Sequence, residues 1–177
     1  HYPLRRQRQM CIRDSPDGLS PLIAHVETLG MEFGLWLEPE MVNPDSELYR
    51  KHPDWILGCH ESKTVLARHQ LVLNLTRPEV QEYLFDCIDA LLREYSIRYL
   101  KWDMNRDLHQ PGDHNGHAAV HGQTTALYQL LNRLRQAHPR VEIESCASGG
   151  GRADYGILAL TDRIWTSDSN DAVDRLN

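Results

Sequence analysis

Short apolar runs alternating with amphipathic stretches, from Phe33 to Asp168, limit most strongly what this chain can become. Residues 33–37, 71–75, 97–103, 141–146 and 163–167 read as strands, rich in β-branched, aromatic and aliphatic side chains. A helix is expected over 17–29, where Leu19, Leu22, Ile23, Val26 and Leu29 fall at helical spacing and Gly30 stands at the cap. A short one follows near 45–51. Thr76-Arg77-Pro78-Glu79 carries a capping-box signal, and Val80, Tyr83, Leu84, Cys87, Ile88, Leu91 and Leu92 then form one stripe. A further stripe of Leu127, Leu130, Leu131 and Leu134 runs to about residue 137, and a weaker helical stretch spans 152–160. Near-continuous apolar strands joined by helices are the mark of parallel βα units, so the fold class is α/β. A doubly wound sheet and part of a (β/α)8 barrel both fit. A whole barrel takes about 250 residues, so 177 leave room for roughly five of its eight strands.

The polar residues decide between these folds. Lys101, Asp103 and Asn105 alternate at the end of one strand and therefore share a side, with Leu100, Trp102 and Met104 on the other. Glu38, Glu40, Ser145, Cys146 and Asp168 also lie at or just beyond C-terminal strand ends. That is the face where barrels build active sites. No glycine-rich phosphate fingerprint follows a strand at the needed spacing; Gly149-Gly150-Gly151 does not match one.

Asp103 and Asp168 form the sharpest pair. Two carboxylates on different strand tips can flank a glycosidic bond, one attacking the anomeric carbon while the other protonates the leaving oxygen. The plain alternative is two solvated loop aspartates. Lys101 beside Asp103 would keep that carboxyl ionised, or would simply cap the strand with a salt bridge. Glu38-Pro39-Glu40 is too compact to straddle a substrate and reads as structural support. His109, His114, His117 and His121 sit in a loop without periodicity, and a solvated loop accounts for them better than a metal site. Cys146 has no histidine placed to activate it, so it reads as a small pocket wall. Trp36 is a candidate sugar platform or a core filler, and Arg68 a hydroxyl or carboxylate binder or a surface arginine.

Net charge is -6 and no basic tract occurs, which argues against a nucleic-acid or anionic-membrane surface. No run of about 18 apolar residues suggests a membrane span. Residues 1–15 hold four arginines and no periodicity, and Gln9-Met10-Cys11-Ile12-Arg13-Asp14 resembles a translated sequencing adapter. They are set aside as an assembly scar, leaving 16–177 as a partial catalytic domain. The remaining Cys59, Cys87 and Cys146 are odd in number and widely spaced, and read as reduced intracellular thiols.

Four blocks, in order, resemble the signatures of the family 36 glycoside hydrolases, the bacterial-type α-galactosidases. They are Gly34-Leu35-Trp36-Leu37-Glu38-Pro39-Glu40-Met41-Val42, Lys101-Trp102-Asp103-Met104-Asn105-Arg106, Ser145-Cys146-Ala147-Ser148-Gly149-Gly150-Gly151-Arg152 and Trp165-Thr166-Ser167-Asp168. The resemblance implies a retaining α-galactosidase on a (β/α)8 barrel, of which this chain holds about strands 2 to 6, truncated at both ends. Asp103 is implied as nucleophile on the fourth strand and Asp168 as general acid/base on the sixth. Trp36, Arg68, Lys101, Asn105, Cys146 and Gly149 match positions lining the galactose pocket; a glycine at 149 would let the sugar approach the backbone. The implied partner is an α-galactoside oligosaccharide, with no cofactor, metal, nucleic acid or membrane, in a homo-oligomeric parent in the bacterial cytoplasm. An α-N-acetylgalactosaminidase or galactosyl-transferring relative is the alternative within the class, and a non-catalytic carbohydrate-binding remnant the alternative outside it. The sugar-binding first strand and the last two strands are expected to be missing. The isolated fragment is therefore expected to expose sheet edges and to be unstable or to aggregate.

Overall fold

The computed structural model describes residues 18–58, 65–110, 112–113, 115–169 and 171–174. The adapter-like segment, Asp17, Cys59 and His114 lie outside the described residues. The chain runs through α1 (Ser20–Thr28), β1 (Phe33–Leu37), β2 (Met41–Val42), α2 (Glu47–Lys51), a 3-10 turn (Pro53–Trp55), β3 (Leu71–Val72), α3 (Pro78–Glu94), β4 (Ile97–Trp102), α4 (Val120–Ala137), β5 (Glu142–Ser145), α5 (Tyr155–Leu160) and β6 (Arg163–Ile164).

The strands β1, β4, β5 and β6 form one parallel sheet in that order. Trp36 pairs with Lys101, Lys101 with Glu144, and Glu144 with Arg163, so these four stand in one row across the sheet. The ladder continues past the strand ends: Asp103 N–H donates to the Leu37 carbonyl at 2.9 Å, and Cys146 N–H to the Trp102 carbonyl at 2.8 Å. Asp103 is thereby tied to the sheet by its own backbone.

The core lies between this sheet and its helices. Leu100, Trp102 and Ile143 pack with Val80, Leu84 and Ile88 of α3, Leu130, Leu131 and Leu134 of α4, and Ile157 of α5. Alternation along β4 buries Leu100 and Trp102 in this core and turns Lys101 the other way.

The segment 71–75 corrects the sequence reading. It is not a parallel strand between β1 and β4; β1 pairs with β4 directly, and β3 pairs antiparallel with β2 in a separate two-stranded ribbon. The expected five parallel strands are thus four among the described residues. The backbone of 73–75 finds other partners. Buried Gln123 of α4 accepts from the Leu75 N–H and donates to the Leu73 carbonyl, both at 2.9 Å, while Leu73 N–H donates to the Glu40 carbonyl. A side-chain amide from a helix thus replaces a neighbouring strand.

The start of α3 also differs from expectation. Thr76 makes no capping box; Arg77 is the cap residue and Asn74 Oδ1 accepts from the backbone and the hydroxyl of Thr76. Glu79 pairs with Arg77 instead. Further on, α4 begins at Val120, inside what was expected to be loop. In α1, Gly30 takes the left-handed conformation (φ 72°) beyond the helix end, as the cap reading requires, but only Ile23 of the expected stripe is fully buried.

Candidate active site

The C-terminal edge of the parallel sheet collects most of the candidate side chains. Asp103 follows β4 and is 5% exposed. Its Oδ2 accepts from the Trp36 indole N–H at 3.0 Å, and its Oδ1 from the Met104 N–H at 2.9 Å. Burial alone would raise its pKa, but hydrogen bonds from Trp36, Asn105, Cys146 and the Met104 N–H outweigh it and hold the carboxyl below its ordinary value. The site therefore keeps a buried carboxylate ionised with neutral donors.

Lys101 has a different place from the one expected. Its ammonium lies 3.5 Å from Glu144 Oε1 and 3.9 Å from the ring centroid of Trp165. Glu144 on the neighbouring strand takes the charge that the sequence suggested for Asp103, because register places the two side chains abreast. The ionised state of Asp103 owes to its hydrogen-bond donors.

Asn105 is clamped at both ends of its amide. Its Nδ2 donates to Glu38 Oε1 at 2.6 Å and its Oδ1 accepts from Ser148 Oγ at 3.2 Å. Arg68 reaches the same Glu38 oxygen at 3.7 Å. Arg68 and His69 both have positive φ, at 52° and 61°, inside a tight turn closed by reciprocal Ala67 and Gln70 backbone bonds. Such conformations are costly for side-chain-bearing residues and cluster at functional sites. Buried Asn43 donates to the His69 carbonyl and helps to hold the turn.

Cys146 is 2% exposed and its thiol is pushed above its ordinary pKa, chiefly by burial. It is a neutral wall and a donor to Asp103. Gly149 has φ 89°, and a Cβ there would stand 3.1 Å from the Ser167 Cα and 3.3 Å from the Thr166 carbonyl oxygen. The positive φ and the close approach of the chain after β6 are a structural reason for glycine at this position. Asp168 lies just beyond β6, exposed, with its Oδ1 accepting from the Trp165 indole N–H at 2.8 Å. Asp171 instead accepts from the Val173 and Asp174 N–H groups and caps the turn that follows.

Glu40 supports the site from below. It is 3% exposed, and its Oε1 accepts from the Trp102 indole N–H at 2.8 Å and from Arg152 Nη1 at 2.7 Å. A cleft of about 380 Å³ opens beside it, lined by Met104, Arg106, Tyr128, Ser148 and Arg152 among others. Neither Asp103 nor Asp168 lines that cleft. Among the described residues no group of three His, Cys, Asp or Glu side chains is placed to hold a metal ion, and no helix is long and apolar enough to cross a membrane. His109 and His117 stand beside Asp107 and Asp113 in the loop between β4 and α4.

Sequence reasoning did not pick out Glu144, Trp165, Ser148, Asn43 or Gln123 as partners of the site or its supports. The alternation within β5 marks Glu144 as polar among buried neighbours, but its lysine partner emerges only from the register.

Residues 8–177 match the Melibiase family. The chain belongs to that family. It is 54% identical over 160 residues to an α-galactosidase of Escherichia coli, covering 90% of this chain and 22% of the relative. It is 42% identical over 169 residues to α-galactosidase AgaA of Geobacillus stearothermophilus, covering 93% and 23%. Among solved structures, the family 36 enzyme AgaA in complex with stachyose superimposes with a TM-score of 0.89 at 41% identity, over 93% of this chain and 24% of that one. The α-galactosidase of Lactobacillus brevis gives 0.88 at 43% identity, over 93% and 23%. The chain therefore spans less than a quarter of the length of these relatives.

Proposed function

We propose that this chain is part of the catalytic domain of a retaining α-galactosidase, with residues 16–177 contributing a segment of a (β/α)8 barrel. The reading is carried by Asp103: a buried carboxylate at a C-terminal strand end, held ionised by four donors, on the same sheet edge as Asp168. Family membership and relatives named as α-galactosidases support the activity. Structures of such relatives with stachyose and raffinose support an α-galactoside oligosaccharide as substrate.

In the first step an Asp103 carboxylate oxygen forms a bond to C1 of the galactosyl unit. The bond from C1 to the leaving oxygen breaks, its electron pair stays on that oxygen, and the oxygen takes the proton of Asp168. In the second step water bonds to C1 and gives a proton to the Asp168 carboxylate, while Asp103 leaves as a carboxylate. Asn105, oriented by Glu38 and Ser148, offers its amide oxygen, and Lys101 its ammonium, to sugar hydroxyls. Arg68 does so from its strained turn, and the half-exposed Trp36 ring offers an apolar face. A retaining enzyme requires the two carboxyls about 5 Å apart when substrate is bound. The parent protein is a bacterial cytoplasmic homo-oligomer on this reading.

The test is Asp103→Gly in the full-length protein. The variant should lose turnover of an aryl α-galactoside and regain it with azide, which enters from the face Asp103 vacates and gives the β-galactosyl azide. Unchanged activity, or an α-azide product, ends the assignment.

A further inference from the structure

Strands β4, β5 and β6 bring Lys101, Glu144 and Trp165 together beside Asp168. The Trp165 N–H donates to the Ser145 carbonyl at 3.0 Å, so the extended ladder fixes where its indole sits. Lys101 then lies over the ring, 3.9 Å from its centroid, and is also held by Glu144 at 3.5 Å. Glu144 is 8% exposed and is also hydrogen-bonded by Tyr99, whose hydroxyl pKa is raised by burial and by that carboxylate. The free edge of the same indole donates to Asp168 Oδ1 at 2.8 Å.

We propose that Trp165 is the positioning residue of Asp168, and that the Lys101–Glu144 pair holds Trp165 in the orientation this requires. An exposed carboxylate has no fixed direction of its own, whereas a donor on a ring pinned by backbone and cation gives it one. The ammonium over the ring face also draws electron density from the indole and strengthens its N–H as a donor. The same cation thus serves two places: it faces the sugar beside Asp103 and, through the ring, orients the group that protonates the leaving oxygen. This rests on the assignment of Asp168 as acid/base made above.

Leaving-group dependence tests it in the full-length protein. Trp165→Phe keeps an aromatic six-membered ring for Lys101 and removes the pyrrole ring that carries the N–H. A methyl α-galactoside needs its leaving oxygen protonated, while a 2,4-dinitrophenyl α-galactoside departs unaided. Trp165→Phe should lower kcat/KM about tenfold on the methyl substrate and less than twofold on the dinitrophenyl one. An equal loss on both marks a structural role and overturns the proposal, as does no loss on either. Asp168→Ala measured in parallel should show the same contrast, larger. If Asp168→Ala shows it and Trp165→Phe does not, only the positioning role is refuted. If Asp168→Ala shows no contrast, the acid/base assignment falls and the proposal with it.

Discussion

Removing a single hydrogen bond to Asp103 gives a quantitative test of how its charge is maintained. Trp36→Phe deletes the indole donor 3.0 Å from Oδ2 and leaves an aromatic face for the sugar. A hydrogen bond to an ionised group contributes about 1.5 to 3 kcal/mol. Trp36 is 43% exposed, so water fills part of the gap and the low end of that range applies. About 1.4 kcal/mol corresponds to one pKa unit. The Asn105 and Cys146 side chains and the Met104 N–H remain. In the proposed mechanism Asp103 attacks as a carboxylate, so its pKa sets the acid limb of kcat/KM against pH. Losing a donor to the ionised form raises that pKa, and the acid limb should move upward by about one pH unit. The assay is the pH dependence of kcat/KM for the full-length protein and its Trp36→Phe variant on one aryl α-galactoside. An acid limb that stays in place would refute the claim that neutral donors keep Asp103 charged.

Other perturbations follow from the same contacts. Glu40→Ala should destabilise by about 3 to 5 kcal/mol in denaturant titration, because it leaves Arg152 a half-buried cation without its partner; a cost under 1 kcal/mol would contradict that. Gly149→Ala should cost about 1 to 3 kcal/mol, since its positive φ and the Ser167 backbone 3.1 Å away both oppose a Cβ, and an unchanged Tm would show that the loop yields freely. Asp162 has its pKa lowered: burial opposes this, but bonds from Arg135 and the Ile143 N–H prevail. A depressed folded-state pKa contributes stability that is present above the ordinary value of an aspartate and is lost as pH falls through the lower folded value. Denaturant midpoints should therefore drop below pH 4, and less steeply in Asp162→Asn; equal slopes would count against the assignment.

The sequence made the parallel sheet legible where a strand rich in apolar and aromatic residues is followed by an amphipathic helix, as in 97–102 and the helix at 120–137. It misread 71–75 because periodicity reports burial, not the identity of the hydrogen-bond partner. Leu73 and Leu75 are as buried as strand residues, yet their backbone is satisfied by Gln123, 48 residues away from Leu75. Alternation around Asp103 put the polar residues on one side but left open which of them pair. Lys101 next to Asp103 in the chain looked like its counter-ion, whereas strand register supplies Glu144 as the nearer anion. Gly149 was read from its lack of a side chain, and the sequence did not show that the chain at Thr166 and Ser167 lies against it. In each case the residue type was readable and its cross-strand neighbour was not.

Covalent attachment of the sugar to Asp103 is tested most directly with an activated fluorinated galactoside. Such a sugar forms the glycosyl-enzyme but releases it slowly, so the full-length protein can be digested and the labelled peptide sequenced by mass spectrometry. One fluorogalactosyl label is expected, carried on Asp103 in the peptide that contains Lys101-Trp102-Asp103-Met104. A label on another carboxylate, or turnover with no label and an inverted first product, would contradict it.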